Sequence, residues 1–178
     1  MAGQKEEEKD VVIRPAQKTD ATAIEIILST YFLDRDDIEH ERFYVAEINE
    51  KVIGCAAFEK LKSQEDDFWF YEIHTIAVMP SYKGKGYGKL LLNKIMAEIE
   101  KKIEDESNSG ETNSNETNSN HSDEMISRIV LTRTTAPDFF IHEGFEKVNV
   151  EKRKYWKECV WCDKIERCSQ TVLAKEIT

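Results

Sequence analysis

One mixed α/β domain with a splayed sheet is the fold this chain predicts, and three observations predict it. Segments with strand-like and helix-like patterning alternate in the order β-α-β-β-β-α-β-α-β-β. The longest strand-like segment runs without a break into a glycine-rich loop that opens onto a helix. The 178 residues suit one domain around one core.

The elements follow in order. Residues 1–10 read as a flexible charged tail, and the folded domain occupies 11–178. Residues 11–15 form the first strand. Asp20 then precedes an apolar run at helical spacing: Ala23, Ile24, Ile27, Leu28 and Tyr31. Alternation and β-branched content make 42–48 and 52–60 strands about an Asn49-Glu50-Lys51 turn. Residues 68–78 are the central strand, and a helix beginning near Leu90 carries Leu91, Ile95, Met96, Ile99 and Ile103 on one face. The chain then changes character. Residues 104–124 are rich in Ser, Asn, Glu and Thr, and Glu-Thr-Asn-Ser-Asn occurs there twice in tandem. Such a stretch has no core-forming pattern and predicts a disordered acidic insertion. Its sequons at Asn115 and Asn120 are accidents of composition in an intracellular protein. Residues 129–132 form the next strand. Residues 136–143 form a short helix stopped by Gly144, and strands at 145–150 and 170–174 complete the sheet.

The segment 72–89 carries the chemistry. It reads Glu-Ile-His-Thr-Ile-Ala-Val-Met-Pro-Ser-Tyr-Lys-Gly-Lys-Gly-Tyr-Gly-Lys, a strand ending in three alternate glycines and three lysines. Glycines let backbone N–H groups converge on one oxyanion. The following helix adds its unpaired first-turn donors and the positive end of its dipole. Lys83, Gly84, Lys85, Gly86, Tyr87, Gly88 and Lys89 therefore predict a phosphate site, the alternative being a plain glycine-rich turn with lysines exposed for solubility. A P-loop needs Gly-Lys-Ser/Thr at another spacing, and a dinucleotide fingerprint needs Gly-x-Gly-x-x-Gly. Neither fits.

The signature that fits is Gln/Arg-x-x-Gly-x-Gly/Ala, and Lys83, Gly86 and Gly88 stand at its three positions. On this ground the chain resembles the GNAT-type N-acetyltransferases, with a lysine where the family carries Gln or Arg. Within that superfamily it is similar to the acetyltransferase domain of N-acetylglutamate synthases. Gly54-Cys55-Ala56-Ala57, Glu72 with Ala77-Val78 and Pro80, and Leu131-Thr132-Arg133-Thr134-Thr135 with Phe139-Phe140 and Gly144-Phe145 occur in the same order. The resemblance implies a mostly antiparallel splayed sheet flanked by helices, with acetyl-coenzyme A as co-substrate. The loop from Lys83 to Lys89 would hold its pyrophosphate, and Ile76, Ala77 and Val78 would lie along the pantetheine arm. The Ile76 amide would donate to the developing oxyanion. Glu72 stands where histone-acetylating members carry a general base, and burial would raise its carboxyl toward neutral pH. A solvent-facing or lysine-paired strand Glu is the alternative. The position of the family's acid Tyr is Phe140, which would pack on the coenzyme arm or in the core. His142 and Tyr31 are the fallback acids.

The acceptor implied is a small amine, with glutamate the first guess. Arg35 and Arg133 would hold its carboxylate, since a guanidinium offers that group a planar fork. Surface ion pairing, for instance of Arg35 with Asp34, Asp36 or Asp37, is the alternative. A polyamine, antibiotic or protein amine is a second acceptor class. A non-catalytic acyl-coenzyme A-binding sensor is a reading of another kind. Dimerisation is compatible with the family.

Composition excludes other classes. No apolar run reaches membrane length and no signal peptide is visible, so a cytoplasmic protein is expected. The net charge is −10, of which seven negative charges lie in 104–124, and no basic face interleaved with aromatics suggests nucleic acid. Cys55 reads as a small buried hydrophobe. Cys159, Cys162 and Cys168 form Cys-x-x-Cys-x₅-Cys, which leaves three readings open: an incomplete zinc site, reduced thiols, or a redox-sensitive pair.

Overall fold

The computed structural model describes residues 10–33, 38–65, 68–109 and 125–177. Seven strands form a sheet in the order β1-β2-β3-β4-β5-β7-β6. The strands are β1 (Val12–Pro15), β2 (Tyr44–Ile48), β3 (Lys51–Lys62), β4 (Phe68–Val78), β5 (Met125–Thr134), β6 (Glu146–Lys147) and β7 (Thr171–Glu176). The helices are α1 (Ala21–Thr30), α2 (Tyr87–Ser109), α3 (Pro137–His142), α4 (Lys152–Tyr155) and α5 (Lys157–Val160). Pairing is antiparallel for β1–β2, β2–β3, β5–β7 and β6–β7, and parallel for β4–β5. The chain divides into two compact units. One comprises residues 1–57 and 75–95, the other 58–74 and 96–178.

In the first unit, Asn49 and Glu50 take φ of 49° and 61°, as a two-residue hairpin turn between β2 and β3 demands. The core gathers Ile24, Ile27 and Leu28 of α1 with Phe43, Val45, Val52, Cys55 and Ala77. Cys55 is fully buried, and burial pushes its thiol up to about 12, so it acts as a small hydrophobe. The entry to α1 is pinned by Arg14. Its guanidinium bonds both oxygens of Asp20, at 2.6 and 3.0 Å, and reaches Glu47 Oε2 at 2.5 Å. Asp20 also accepts from the Gln17 N–H at 2.8 Å. The bond to Arg14 holds the Asp20 carboxyl below its ordinary value, against the opposing effect of burial. A depressed carboxylate stabilises the fold above its unfolded pKa, and that stability disappears as pH falls through the folded pKa. Asp20→Asn is therefore expected to lose about 2 kcal/mol at pH 7, the scale of a charged hydrogen bond. The gap to wild type should close below pH ~3.9. Urea unfolding at both pH values checks this.

In the second unit, Phe70, Leu131, Trp156, Cys159 and Val172 form the core, flanked by Phe68, Tyr155 and Ile165. Phe70 meets Tyr155 and Trp156 edge-on, with ring centroids 5.7 and 5.9 Å apart. The β4–β5 ladder runs from Phe68↔Met125 to Glu72↔Leu131 with one irregularity, and the Thr132 hydroxyl then donates to the Ile73 carbonyl at 3.0 Å.

Several sequence expectations need correction. The helix after the glycine loop starts at Tyr87 rather than near Leu90, because the Leu90 N–H already closes a helical turn on Gly86 O. It also runs to Ser109, six residues into the segment read as disordered. Glu106 explains the extension: it accepts from the Tyr71 hydroxyl at 3.2 Å and pairs with Lys60 at 3.1 Å. The remainder of that segment, 110–124, lies outside the described residues, as does most of the N-terminal tail. Only Glu146–Lys147 of the expected strand 145–150 is extended. Two short helices, α4 and α5, occupy a stretch for which no element is expected.

Candidate active site

The first unit holds the glycine loop. Gly84 and Gly86 adopt φ of 75° and 83°, which side chains avoid, and a Cβ on either would meet nothing within 4 Å. The loop thus presents backbone and open space. Gly88 lies inside α2, whose first turn carries N–H groups with no acceptor in the helix. Lys85 and Lys89 flank them. Lys83 takes a different place: its ammonium sits 4.4 Å from the Tyr31 ring centroid. The Tyr31 hydroxyl in turn donates to the Val78 carbonyl at 2.5 Å. Tyr31, expected only as a fallback acid, is thus a tie between the end of α1 and the end of β4. Ile76 is half-buried in β4 and Ala77 is buried.

The second unit holds a polar cluster that the sequence did not assemble. Glu72 is 2 % exposed and its Oε1 accepts from Arg133 Nε at 2.9 Å. Arg133 reaches Glu158 Oε1 at 2.5 Å through its second terminal nitrogen, and Cys159 Sγ at 3.6 Å through the first. Its guanidinium lies 4.6 Å from the Trp156 ring centroid. The Trp156 indole N–H is buried without a hydrogen-bond partner. Burial pushes the Glu72 carboxyl above its ordinary value, with Arg133 pulling the other way. Arg133 stays firmly charged: Glu72 and Glu158 outweigh the loss of solvation. Two expected site residues, Glu72 and Arg133, are thus brought together as a buried pair. Glu158 and Trp156 were missed.

Other assignments fare differently. Phe140 is 4 % exposed and meets Phe139 and Phe145 edge-on, with ring centroids 5.1 and 5.4 Å apart. His142 is exposed and its Nδ1 meets the Asp138 carbonyl of its own helix at 2.7 Å. Arg35 lies outside the described residues. Among the described residues no group of three or more His, Cys, Asp or Glu side chains is placed to hold a metal ion. Cys159 is buried against Arg133, and Cys168 Sγ lies 3.8 Å from Gln170 Oε1.

The sequence model of the acetyltransferase (GNAT) family matches residues 13–115, more than half of the chain. The chain belongs to that family. It is an N-acetyltransferase that moves acetyl from acetyl-coenzyme A to an amine. An uncharacterised N-acetyltransferase of Chlorobaculum tepidum is 29 % identical over 181 residues, covering 94 % of this chain and 97 % of that protein. Solved structures share the fold. N-acetylglutamate synthase from Neisseria gonorrhoeae, complexed with coenzyme A and N-acetyl-glutamate, superposes with a TM-score of 0.63 at 21 % identity. It covers 97 % of this acetyltransferase, which spans only 36 % of the synthase chain. Arabidopsis thaliana Naa50, in complex with the bisubstrate analogue CoA-Ac-MVNAL, gives 0.59 at 17 % identity, over 94 % of this chain and 99 % of its own. No described helix is long and apolar enough to cross a membrane.

Proposed function

We propose that this acetyltransferase acylates the amino group of a small amino acid, with glutamate the leading candidate, by direct transfer. Acetyl-coenzyme A supplies an acetyl group on a thioester, whose C–S bond breaks as the C–N bond to the amine forms. The backbone of Gly84–Lys89 and the first turn of α2 would hold its pyrophosphate, and the Ile76 amide would donate to the acetyl oxygen. The likeness to N-acetylglutamate synthase supports an acidic acceptor.

The observation that carries the acceptor class is the setting of Arg133. A buried carboxylate fixes its Nε and an indole face backs its plane, so the guanidinium is oriented before any ligand arrives. Among the described residues its second terminal nitrogen meets Glu158, whose side chain is 58 % exposed. An acceptor carboxylate suits that arrangement.

The same pairing favours a positioning role for Glu72 over the general-base role. Glu72→Gln separates them. As a positioning residue its loss raises the acceptor KM and leaves the pH profile in place, whereas loss of a base removes the acid limb of the profile. The acceptor class itself is tested by incubating the enzyme with acetyl-coenzyme A and a panel of L-amino acids, spermidine and short peptides, and identifying products by mass. Acetylated amino acids are the expected products. Products confined to polyamines or peptides would overturn the reading.

A further inference from the structure

Among the described partners of Arg133, Glu158 is the one that can leave, and its position points to what it does. Glu72 is 3 % exposed at its side chain and buried with the guanidinium, whereas the Glu158 side chain is 58 % exposed. Glu158 also stands on α5, a four-residue turn that begins directly after Trp156. A carboxylate so placed can swing into water with little loss, while Glu72 cannot.

The geometry points to Glu158 as a built-in competitor, occupying the second terminal nitrogen of Arg133 in place of the acceptor's carboxylate and raising the acceptor concentration the enzyme needs. This rests on the reading that the acceptor presents a carboxylate to Arg133. With Glu72 and Glu158 both on one guanidinium, the cluster carries a net negative charge, so an incoming carboxylate binds only by displacing one of them. Glu158 is the displaceable one. It holds Arg133 in the binding geometry while the site is empty, and it sets a threshold. A carboxylate ligand must bind Arg133 better than Glu158 does, so the competitor raises the KM of carboxylate-bearing acceptors.

Glu158→Gln tests this. The amide still accepts a hydrogen bond from Arg133 but competes as a neutral group. The KM for L-glutamate should fall by about fivefold, the equivalent of one partly exposed ion pair, with the change read in KM rather than in kcat. Calorimetric titration with glutarate, which has the carboxylates and no amine, should show a matching gain in affinity in the variant. An unchanged KM and glutarate affinity would overturn the inference. A raised KM would also overturn it, assigning Glu158 to the acceptor's ammonium. If wild type acetylates no amino acid, the reading of the acceptor fails by itself. The glutarate titration then still decides on Glu158: tighter binding in the variant upholds displacement, and equal binding ends it.

Discussion

Arg133→Ala is expected to destabilise the folded protein by about 3–5 kcal/mol, because it leaves the Glu72 carboxylate buried without its partner. The cation also covers one face of Trp156 and touches Cys159, so packing is lost along with charge. Urea unfolding at pH 7 measures the change. The double variant Glu72→Leu with Arg133→Leu should recover most of it, since replacing both members of a buried pair with apolar groups is often neutral or better. A loss below about 1 kcal/mol in the single variant, the range of exposed pairs, would mean that the cluster is solvated rather than buried. Folded material of the single variant should also show a strongly raised acceptor KM. Arg133→Lys should not restore it, because an ammonium lacks both the planar fork and the stacking surface.

Gly86→Val is expected to raise the KM for acetyl-coenzyme A between about tenfold and a hundredfold. At φ of 83° a β-branched residue carries strain on the order of 1–3 kcal/mol. The same strain tends to rotate the loop out of the conformation that gathers its N–H groups. The side chain would also project into the open space beside the glycine. Gly86→Ala should show a smaller rise in the same direction. Steady-state kinetics with acetyl-coenzyme A as the varied substrate gives both values. An unchanged KM would remove the loop from the cofactor site.

How far the chain could be read in advance depended on whether the determining interactions were local. The central strand was legible to the residue, since apolar content, β-branching and the bounding Pro80 all lie within it. The glycine loop was legible because φ above zero is written in residue type. The tail of α2 was not: Glu104, Asp105 and Glu106 look like the start of a solvated segment, and only Tyr71 and Lys60 reveal that Glu106 is held. The Glu72–Arg133 pair was hidden for another reason. It depends on β4 and β5 being parallel neighbours in a register that sets Glu72 against Leu131, which places Arg133 two residues on, diagonal to Glu72. Neither the neighbour relation nor the register is written in either strand. Trp156 and Glu158 lie on turns too short to show a helical period, and those turns are fixed by Trp156 entering the core beside Phe70.

The measurement that bears most directly on this account is a comparison of kcat/KM for acceptors that differ only in the carboxylate. L-Glutamate is set against propylamine, the amine left when both of its carboxylates are removed, and each other accepted L-amino acid against the amine left after removal of its carboxylates. Thiol release from acetyl-coenzyme A provides the common readout. The account predicts a strong preference for the carboxylate-bearing member in wild type, and its disappearance in Arg133→Lys. Equal turnover of both members, or turnover of the amines alone, would contradict it.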